Sequence, residues 1–299
     1  MPPSPPPLRI AILGAGNIGS AFAFQLARAG GHAVTVVARP NSPRLAQLQR
    51  DQAIIDSRGE RAAVSVADRL DEATPFDLVI VTVLAHQVAP LLPALQRSAA
   101  ACIQFMFNTF EPERLQAAIG PERCALGMPF IQARLEGEGR LRFTAGAGGQ
   151  KSLISRQASV DLFNAAGLPA ALESDMPLWL RCHAPLCVAL ESVSVAGMRR
   201  GGGASFGETL TLAHGVRASF ALIRARGYPI YPPAKARIAT APVWLLGLVL
   251  WGLSRIAAFR ALLAQGEGEC RVLVEVMASA APPGFPAGRV AQIRAMAPS

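Results

Sequence analysis

Three glycines near the N-terminus have the spacing of a loop that holds phosphate groups. They form a G-x-G-x-x-G pattern directly after the apolar run Arg9–Leu13, and an apolar-periodic segment, Asn17–Ala29, follows. A strand before this pattern and a helix after it are the context in which it binds the pyrophosphate of a dinucleotide, because the helix N-terminus offers free N–H groups. The predicted cofactor-binding residues of the loop are Gly14, Ala15, Gly16, Asn17, Ile18 and Gly19.

The end of the second predicted strand indicates which dinucleotide is bound. Enzymes that use NAD usually place Asp or Glu there, to bind the ribose hydroxyls. This chain has Arg39 after Ala33–Ala38, and Asn41 and Ser42 follow. A guanidinium suits the bidentate binding of a 2′-phosphate, so the sequence predicts NADP(H). The alternative is that Arg39 is a solvated surface arginine.

The elements that must position these residues change in character along the chain. Short β-branched runs alternate with helical patterns up to about residue 174, which is typical of parallel βαβ units. The further predicted strands are Ala63–Ala67, Leu78–Val83, Cys102–Phe107, Ala125–Phe130, one from Leu141 and one at Ala170–Glu173. The further predicted helices in this half are one that starts at Asn41-Ser42-Pro43, Gln87–Arg97, Pro112–Ala118 and Ser152–Ala165.

Beyond Met176 the sequence predicts helices without strands. They are Leu178–Met198, Gly207–Arg226, Pro233–Ala241, Val243–Ala264, Cys270–Ala280 and Ala287–Met296. The expected fold class is α/β, with an N-terminal Rossmann-type doubly wound sheet and a C-terminal all-helical domain. The expected organisation is a disordered proline-rich tail at 1–7, a nucleotide-binding domain at 8–174 and a helical substrate and dimerisation domain at 175–299.

Composition narrows the classes of function. The 299 residues carry a formal net charge of +9, but basic residues are not interleaved with aromatic ones, so we expect small-molecule ligands rather than nucleic acid. Five cysteines without a C-x-x-C pair argue against a disulfide framework or a structural zinc site, and they favour a reducing, cytoplasmic setting. The apolar run Val243–Leu253 is too short to span a bilayer. A core helix or a subunit interface, and hence a homodimer, is favoured over a membrane-surface helix.

The chain resembles the ketopantoate reductase (2-dehydropantoate 2-reductase) family over nearly its whole length. The resemblance rests on the glycine loop with Arg39 and on Val81–Val88, which is similar to the family's VT-x-K-A-x-Q segment. It also rests on Phe105–Asn108, on Ala133–Gly137 and on Leu178–Arg181, which is similar to the LW-x-K that opens the family's helical domain. The resemblance implies NADPH-dependent reduction of a 2-keto acid in a cleft between two domains. It adds Leu84, Gln87, Asn108 and Ala133 to the cofactor site.

The same resemblance implies catalytic roles for Arg181, in place of the family lysine, and for Glu269. Arginine is a poor general acid because its pKa is above about 12, although it can anchor a carboxylate or polarise a carbonyl. Asn108, Arg181 and His183 are the predicted substrate-binding residues.

Three further family positions carry apolar residues here. The two asparagines after the lysine are replaced by Pro185 and Ala189, and the lysine of the VT-x-K-A segment is replaced by Leu84. A site that lacks these polar partners suits a larger or less polar substrate than ketopantoate.

Several alternatives remain open at the level of sequence. His183 and His86 are candidate proton donors, but His183 lies about 200° around the helix from Arg181. Pro185 can distort that helix. Glu191 and Ser192 lie further along it, and either can face the cleft. The alternative functions are an NADP(H)-binding protein with non-redox catalysis or a sensing role, and a membrane-associated partner protein.

Overall fold

The computed structural model describes residues 6–264 and 267–298, so most of the predicted N-terminal tail lies outside the described residues. The chain divides into two compact units. One comprises Met1–Phe107 and Glu113–Met176, and the other comprises Asn108–Pro112 and Pro177–Ser299. The short segment Asn108–Pro112 therefore groups with the helices that come much later in the chain.

The first unit is built on a twisted sheet of eight strands. Its strands are β1 (Arg9–Leu13), β2 (Ala33–Val37), β5 (Ser65–Ala67), β6 (Leu78–Val81), β7 (Ile103–Met106), β8 (Cys124–Met128), β11 (Ser152–Ile154) and β12 (Ala170–Leu172). Their order is β12-β11-β8-β7-β6-β1-β2-β5, and every pair is parallel except β8 with β11. The central strands β1, β6 and β7 are nearly all buried because their residues are apolar on both faces. This is the predicted Rossmann-type sheet, and the fold class is confirmed.

Two small antiparallel pairs complete the strands of this unit. They are β3 (Ala53–Ile55) with β4 (Arg61–Ala63), and β9 (Ile131–Glu136) with β10 (Arg140–Ala145). The sequence predicted the strand from Leu141 but missed its partner β9. Side chains of β9 are alternately half-buried and exposed, so the strand has no apolar run to mark it.

The helices of the first unit are α1 (Asn17–Arg28), α2 (Pro43–Asp51), α3 (Leu92–Arg97), α4 (Pro112–Ile119) and α5 (Gln157–Ala165). The Ser42 hydroxyl caps α2, where it accepts a hydrogen bond from the Leu45 amide, and Pro43 occupies the first turn as predicted. The predicted helix Gln87–Arg97 is wrong in its first half. Two 3₁₀ turns precede α3, because Pro93 has no N–H with which to continue a helix from upstream. The predicted helix from Ser152 begins only at Gln157, after β11.

The second unit is helical in its described part. Its helices are α6 (Met176–Arg199), α7 (Phe206–Ala225), α8 (Pro233–Thr240), α9 (Val243–Leu253), α10 (Ala257–Leu263), α11 (Glu267–Ser279) and α12 (Ala287–Arg294). Helix α6 runs through Pro185 as one element. Ser205 and Glu208 form a capping box at the start of α7. The predicted helix Val243–Ala264 is two helices, separated at Ser254–Ile256.

The sequence predicted Val243–Leu253 to be a core helix or a subunit-interface helix, and the structure buries only part of it. Gly247 and Leu250 are buried, whereas Trp244 is 60% exposed and Val249 is 50% exposed. Within residues 6–264 and 267–298, no single helix combines the length and apolarity needed to cross a membrane. Only α8 and α9 taken together reach both, and they meet at an angle of 111°.

Candidate functional site

The glycine loop joins β1 to α1 with the geometry that a phosphate site requires. Gly14 has a φ of +113°, which a residue with a side chain rarely adopts, and its amide donates to the Val37 carbonyl. A Cβ atom on Gly19 would collide with the Gly14 carbonyl oxygen and the Thr82 hydroxyl. A Cβ atom on Gly16 would meet no described atom within 4 Å. The loop therefore packs closely against its neighbours at Gly14 and Gly19, whereas there is free space beside Gly16, where α1 begins.

Two side chains from elsewhere in the sheet unit hold this loop. The Thr82 hydroxyl lies 3.0 Å from the Gly14 carbonyl oxygen and 3.2 Å from that of Leu13. Arg44, at the start of α2, donates from Nε to the Ala15 carbonyl oxygen (3.3 Å) and from Nη2 to the Ser20 hydroxyl (2.9 Å). These contacts occupy the Leu13, Gly14 and Ala15 carbonyl oxygens and so hold the backbone of the loop in place.

The β9–β10 hairpin packs against the same loop. The Asn17 side-chain oxygen accepts a hydrogen bond from the Leu135 amide at 2.9 Å, and Arg44 Nη1 donates to the Gly139 carbonyl oxygen at 3.1 Å. Ala133 is half-buried in β9 of this hairpin. Asn17 and Ala133, both predicted to be cofactor-binding residues, therefore belong to one locally connected group.

Arg39 lies directly after β2, at the carboxyl edge of the sheet where ligands bind in this class of fold. The side chain is exposed, and its guanidinium has no hydrogen-bond or ion-pair partner in the part of the chain that the structure describes. The chain turns back at once, since Asn41 has a φ of +59° and the Ser42 amide donates to the Arg39 carbonyl. The guanidinium is thus available to a ligand.

The predicted residues after β6 lie in the first 3₁₀ turn. Leu84 is 40% exposed, and its amide donates to the Gln87 side-chain oxygen at 3.3 Å. His86, one of the candidate proton donors, is also exposed here. Leu84 presents an apolar surface at a position where the family resemblance implied a cation.

In the helical unit, the predicted residue Asn108 has a buried side chain without hydrogen-bond partners among the described residues. It is 4% exposed, yet neither its amide nitrogen nor its amide oxygen has a hydrogen-bond partner among the described residues. Leaving such a group unpaired costs about 1–3 kcal/mol, so a buried amide of this kind is expected to have a partner. Asn108 is therefore equipped to bind a ligand that carries both a donor and an acceptor.

Arg181 lies on α6 in an aromatic setting within the same unit. It is 1% exposed, and its guanidinium carbon is 4.0 Å from the centroid of the Tyr228 ring and 6.0 Å from that of Phe110. Arg226 approaches the same Phe110 ring at 5.9 Å and forms an ion pair with Glu111 at 3.5 Å. Cation–π contacts of this kind fix the guanidinium plane in a low-dielectric place, where its charge acts strongly.

His183 has different neighbours from Arg181, as their separation around the helix predicted. Its ring stacks on Trp179 at a centroid distance of 4.4 Å, and the Lys235 ammonium lies 3.7 Å from the Trp179 centroid. Burial, and secondarily the Lys235 charge, lowers the pKa of His183 to about 3. The imidazole is therefore neutral near pH 7 and holds no extra proton to donate.

Glu269, at the start of α11, belongs to a buried acidic cluster. Burial, reinforced by the nearby Glu191 carboxylate, raises the pKa of Glu269 to about 7. Glu191 accepts hydrogen bonds from the Cys187 thiol at 3.2 Å and the Cys270 thiol at 2.8 Å. Burial also raises the pKa of both thiols, so they act as donors rather than as thiolates.

Sequence reasoning missed three residues of these groups: Arg44, Tyr228 and Lys235. Arg44 lies in the first turn of α2, directly after Pro43. The local sequence pattern predicts that turn, but it does not predict a contact between Arg44 and the glycine loop. Tyr228 and Lys235 are far from Arg181 and Trp179 in sequence, and only the packing of the helices brings them together.

Comparison with known proteins finds one family model that matches slightly less than half of the chain. Residues 10–152 match the model of the family described as ketopantoate reductase PanE/ApbA. No curated protein sequence matches the chain significantly.

Solved structures resemble the chain over nearly its whole length. A PanE/ApbA family ketopantoate reductase from Ralstonia eutropha JMP134 is 19% identical with a TM-score of 0.70, and 97% of each chain is covered. D-mandelate dehydrogenase in complex with NADH is 16% identical with a TM-score of 0.66, and 97% of each chain is covered. The 2-dehydropantoate 2-reductase of Porphyromonas gingivalis W83 is 16% identical with a TM-score of 0.61, over 96% of this chain and 98% of that one. At these identities the likeness shows a shared two-domain fold.

Proposed function

We propose that this chain, whose residues 10–152 match the model of the ketopantoate reductase PanE/ApbA family, is an NADPH-dependent reductase of a 2-keto acid or a related ketone or imine. The family comprises NAD(P)-dependent oxidoreductases that act on CH–OH groups. The observation that carries the proposal is the pair of side-chain amide atoms on buried Asn108 that have no partner among the described residues. Asn108 follows β7 closely, and the family resemblance places it in the cofactor site.

The residues present fit a dinucleotide. The open Gly16 and the uncapped N-terminus of α1 accept a pyrophosphate, because free N–H groups and the helix dipole favour negative charge there. The unpaired guanidinium of Arg39 suits a 2′-phosphate, and it supports NADPH over NADH. When bound, the reduced nicotinamide supplies a hydride. Asn108 would hold the polar group next to it.

The chain's own residues then have distinct tasks. The Arg181 guanidinium, held against Tyr228, would bind the substrate carboxylate or polarise its carbonyl, and it would keep its proton throughout. Glu269 is protonated in part at neutral pH and is the group we assign as the proton donor to the carbonyl oxygen. His183 contributes its ring to packing and binds substrate as a neutral imidazole.

Apolar residues at the three altered positions support a less polar substrate than ketopantoate. Ala189 is buried and Pro185 is part of α6, so neither supplies the amide that the family resemblance implied. One of the similar structures is named for mandelate, an aryl 2-hydroxy acid. We therefore place aryl and branched-alkyl 2-keto acids ahead of hydroxylated ones as candidate substrates.

A panel assay tests the proposal. The protein is incubated with NADPH and, separately, with phenylglyoxylate, branched-chain 2-keto acids and ketopantoate, and the loss of nicotinamide absorbance is followed. Asn108→Ala serves as the site variant and the exposed Leu172→Ser, in β12, as the control. We expect turnover of at least one apolar keto acid that Asn108→Ala abolishes and Leu172→Ser leaves unchanged. Binding of NADPH without turnover of any compound would instead favour a binding or sensing role.

A further inference from the structure

An apolar face of the helical unit lies open to solvent. On α9, the exposed side chains Trp244, Leu245, Leu248 and Val249 form one stripe, and Gly247 and Leu250 on the other side pack inward. Gly247 lies against Leu210 of α7. After the break, Ile256 is 52% exposed and Leu262 is 47% exposed. These six exposed residues, which lie within 19 positions of one another in the sequence, are called the α9–α10 face below. Exposed apolar patches such as the stripe on α9 mark binding surfaces for proteins or membranes.

The charge around this face has one sign. From Thr209 to Gly266 the chain contains no aspartate or glutamate. The same stretch contains four basic residues that are neither buried nor ion-paired to a described acid: Arg217, Arg224, Arg237 and Arg255. Lys235 and Arg260 are buried, and Arg226 forms an ion pair with Glu111. A segment of this composition selects a negatively charged partner.

Arginines stand at both ends of α9. At its N-terminal end, exposed Arg217 donates to the Ala241 carbonyl oxygen at 2.8 Å, which fixes it at the junction of α8 and α9. At its C-terminal end, the Arg255 guanidinium lies 3.4 Å from the centroid of the Trp251 ring and remains exposed. The apolar stripe is thus bracketed by cations, as in helices that lie in the interface of an anionic bilayer.

We propose that the α9–α10 face binds the surface of a membrane that contains anionic lipids. A second copy of the chain fits this face less well, because a symmetric contact would bring two acid-free, arginine-bracketed segments together. A lipid surface also suits the side chains between Pro242 and Leu253, whose only polar groups are the indole N–H groups of two tryptophans, since protein interfaces carry about one hydrogen bond per 100–200 Å². The helix, about 16 Å long, would lie in the plane of the interface with Trp244 at headgroup depth.

Co-sedimentation of the full chain with vesicles tests the proposal. One set of vesicles is an equal mixture of phosphatidylglycerol and phosphatidylcholine, and the other is phosphatidylcholine alone. We expect binding to the anionic vesicles at low salt, at least tenfold weaker binding in 0.5 M salt, and little binding to the neutral vesicles. The fluorescence of Trp244 should shift to shorter wavelength on binding, and this shift should be absent in Trp244→Ser.

The double variant Trp244→Ser/Leu248→Ser probes the apolar part of the contact. Insertion removes roughly half of each side chain from water, so we expect binding about 30-fold weaker than that of the unaltered protein. Leu172→Ser, which replaces an equally exposed leucine in the other unit, should bind as before. All three substitutions in these two variants replace exposed residues, and thermal unfolding checks that each variant is folded.

Three results would overturn the proposal. They are no sedimentation with anionic vesicles, equal binding by the double variant, and a homodimer in light scattering that the double variant dissociates. The last result would assign the face to a second copy. None of them bears on the reductase proposal, because the α9–α10 face includes no residue assigned to cofactor or substrate.

Discussion

Replacing Arg39 by alanine should weaken the binding of NADPH and leave that of NADH nearly unchanged. Arg39 is exposed and its guanidinium has no partner in residues 6–264 and 267–298, so the change costs the fold little and acts on the ligand. A hydrogen bond to a charged group contributes about 1.5–3 kcal/mol. Water and salt reduce this at an exposed site, so a bidentate contact to the 2′-phosphate is worth about 2–3 kcal/mol. The dissociation constant should rise about 30- to 150-fold.

Titration of nicotinamide fluorescence with each cofactor measures this effect. NADH lacks the 2′-phosphate, so its dissociation constant should change less than about twofold. Arg39→Lys is the matched variant, because it keeps the charge but loses the planar fork, and we expect roughly a tenfold loss for NADPH. Raising the salt concentration should reduce the difference between the dissociation constants of the unaltered protein for NADPH and for NADH. Equal losses for NADPH and NADH in Arg39→Ala would refute the phosphate contact.

Three further changes test other parts of the site. Arg44→Met removes two hydrogen bonds that hold the glycine loop, so it should weaken the binding of NADPH and of NADH alike by about 5- to 30-fold. Weaker binding of NADPH alone would instead indicate that Arg44 contacts the 2′-phosphate directly. Arg181→Ala should lower kcat/KM by a factor of about 10²–10³, whereas Arg181→Lys keeps a cation and should lower it by less than about tenfold. Full activity in the alanine variant would exclude a role of Arg181 in binding or polarising the substrate. Burial raises the pKa of Glu269 from 4.5 to about 7, so the folded state holds this proton more tightly and loses stability as pH rises between those values. At pH 8, Glu269→Gln should therefore have a free energy of unfolding in urea about 2–3 kcal/mol higher than the unaltered protein, and at pH 4 the two should be equal. The exposed Glu275→Gln control should show no such dependence on pH, and the same pH dependence in both variants would contradict the shift.

Much of the fold of the first unit was predictable because its signals are local. The run Arg9–Leu13, the glycine spacing and the Ser42-Pro43 start of α2 each determine structure within a few residues. The helical unit was predictable as helices, but the neighbours of its polar residues were not. The contact between Arg181 and Tyr228 depends on how the loop between α7 and α8 packs against α6, and no local sequence pattern specifies that packing.

The apolar run Val243–Leu253 shows a different limit. Its composition correctly predicts a helix, but apolarity on every side does not say which face the core covers. The structure leaves Trp244 and Leu248 outside. In the same way, Glu269 could be assigned only by resemblance, because its raised pKa depends first on burial in the folded chain and then on Glu191, which lies on another helix. The domain limits of 8–174 and 175–299 stay a prediction.

The central claim is that this chain transfers hydride from NADPH to the carbonyl carbon of a keto acid. The most direct measurement uses NADPH deuterated on one face of nicotinamide C4, each face in turn, with phenylglyoxylate, and mass spectrometry of the product. We predict a 2-hydroxy acid that carries one deuterium at C2 with one of the two labelled cofactors and none with the other. Tight binding of NADPH without a labelled product from any keto acid that we have named would contradict the account.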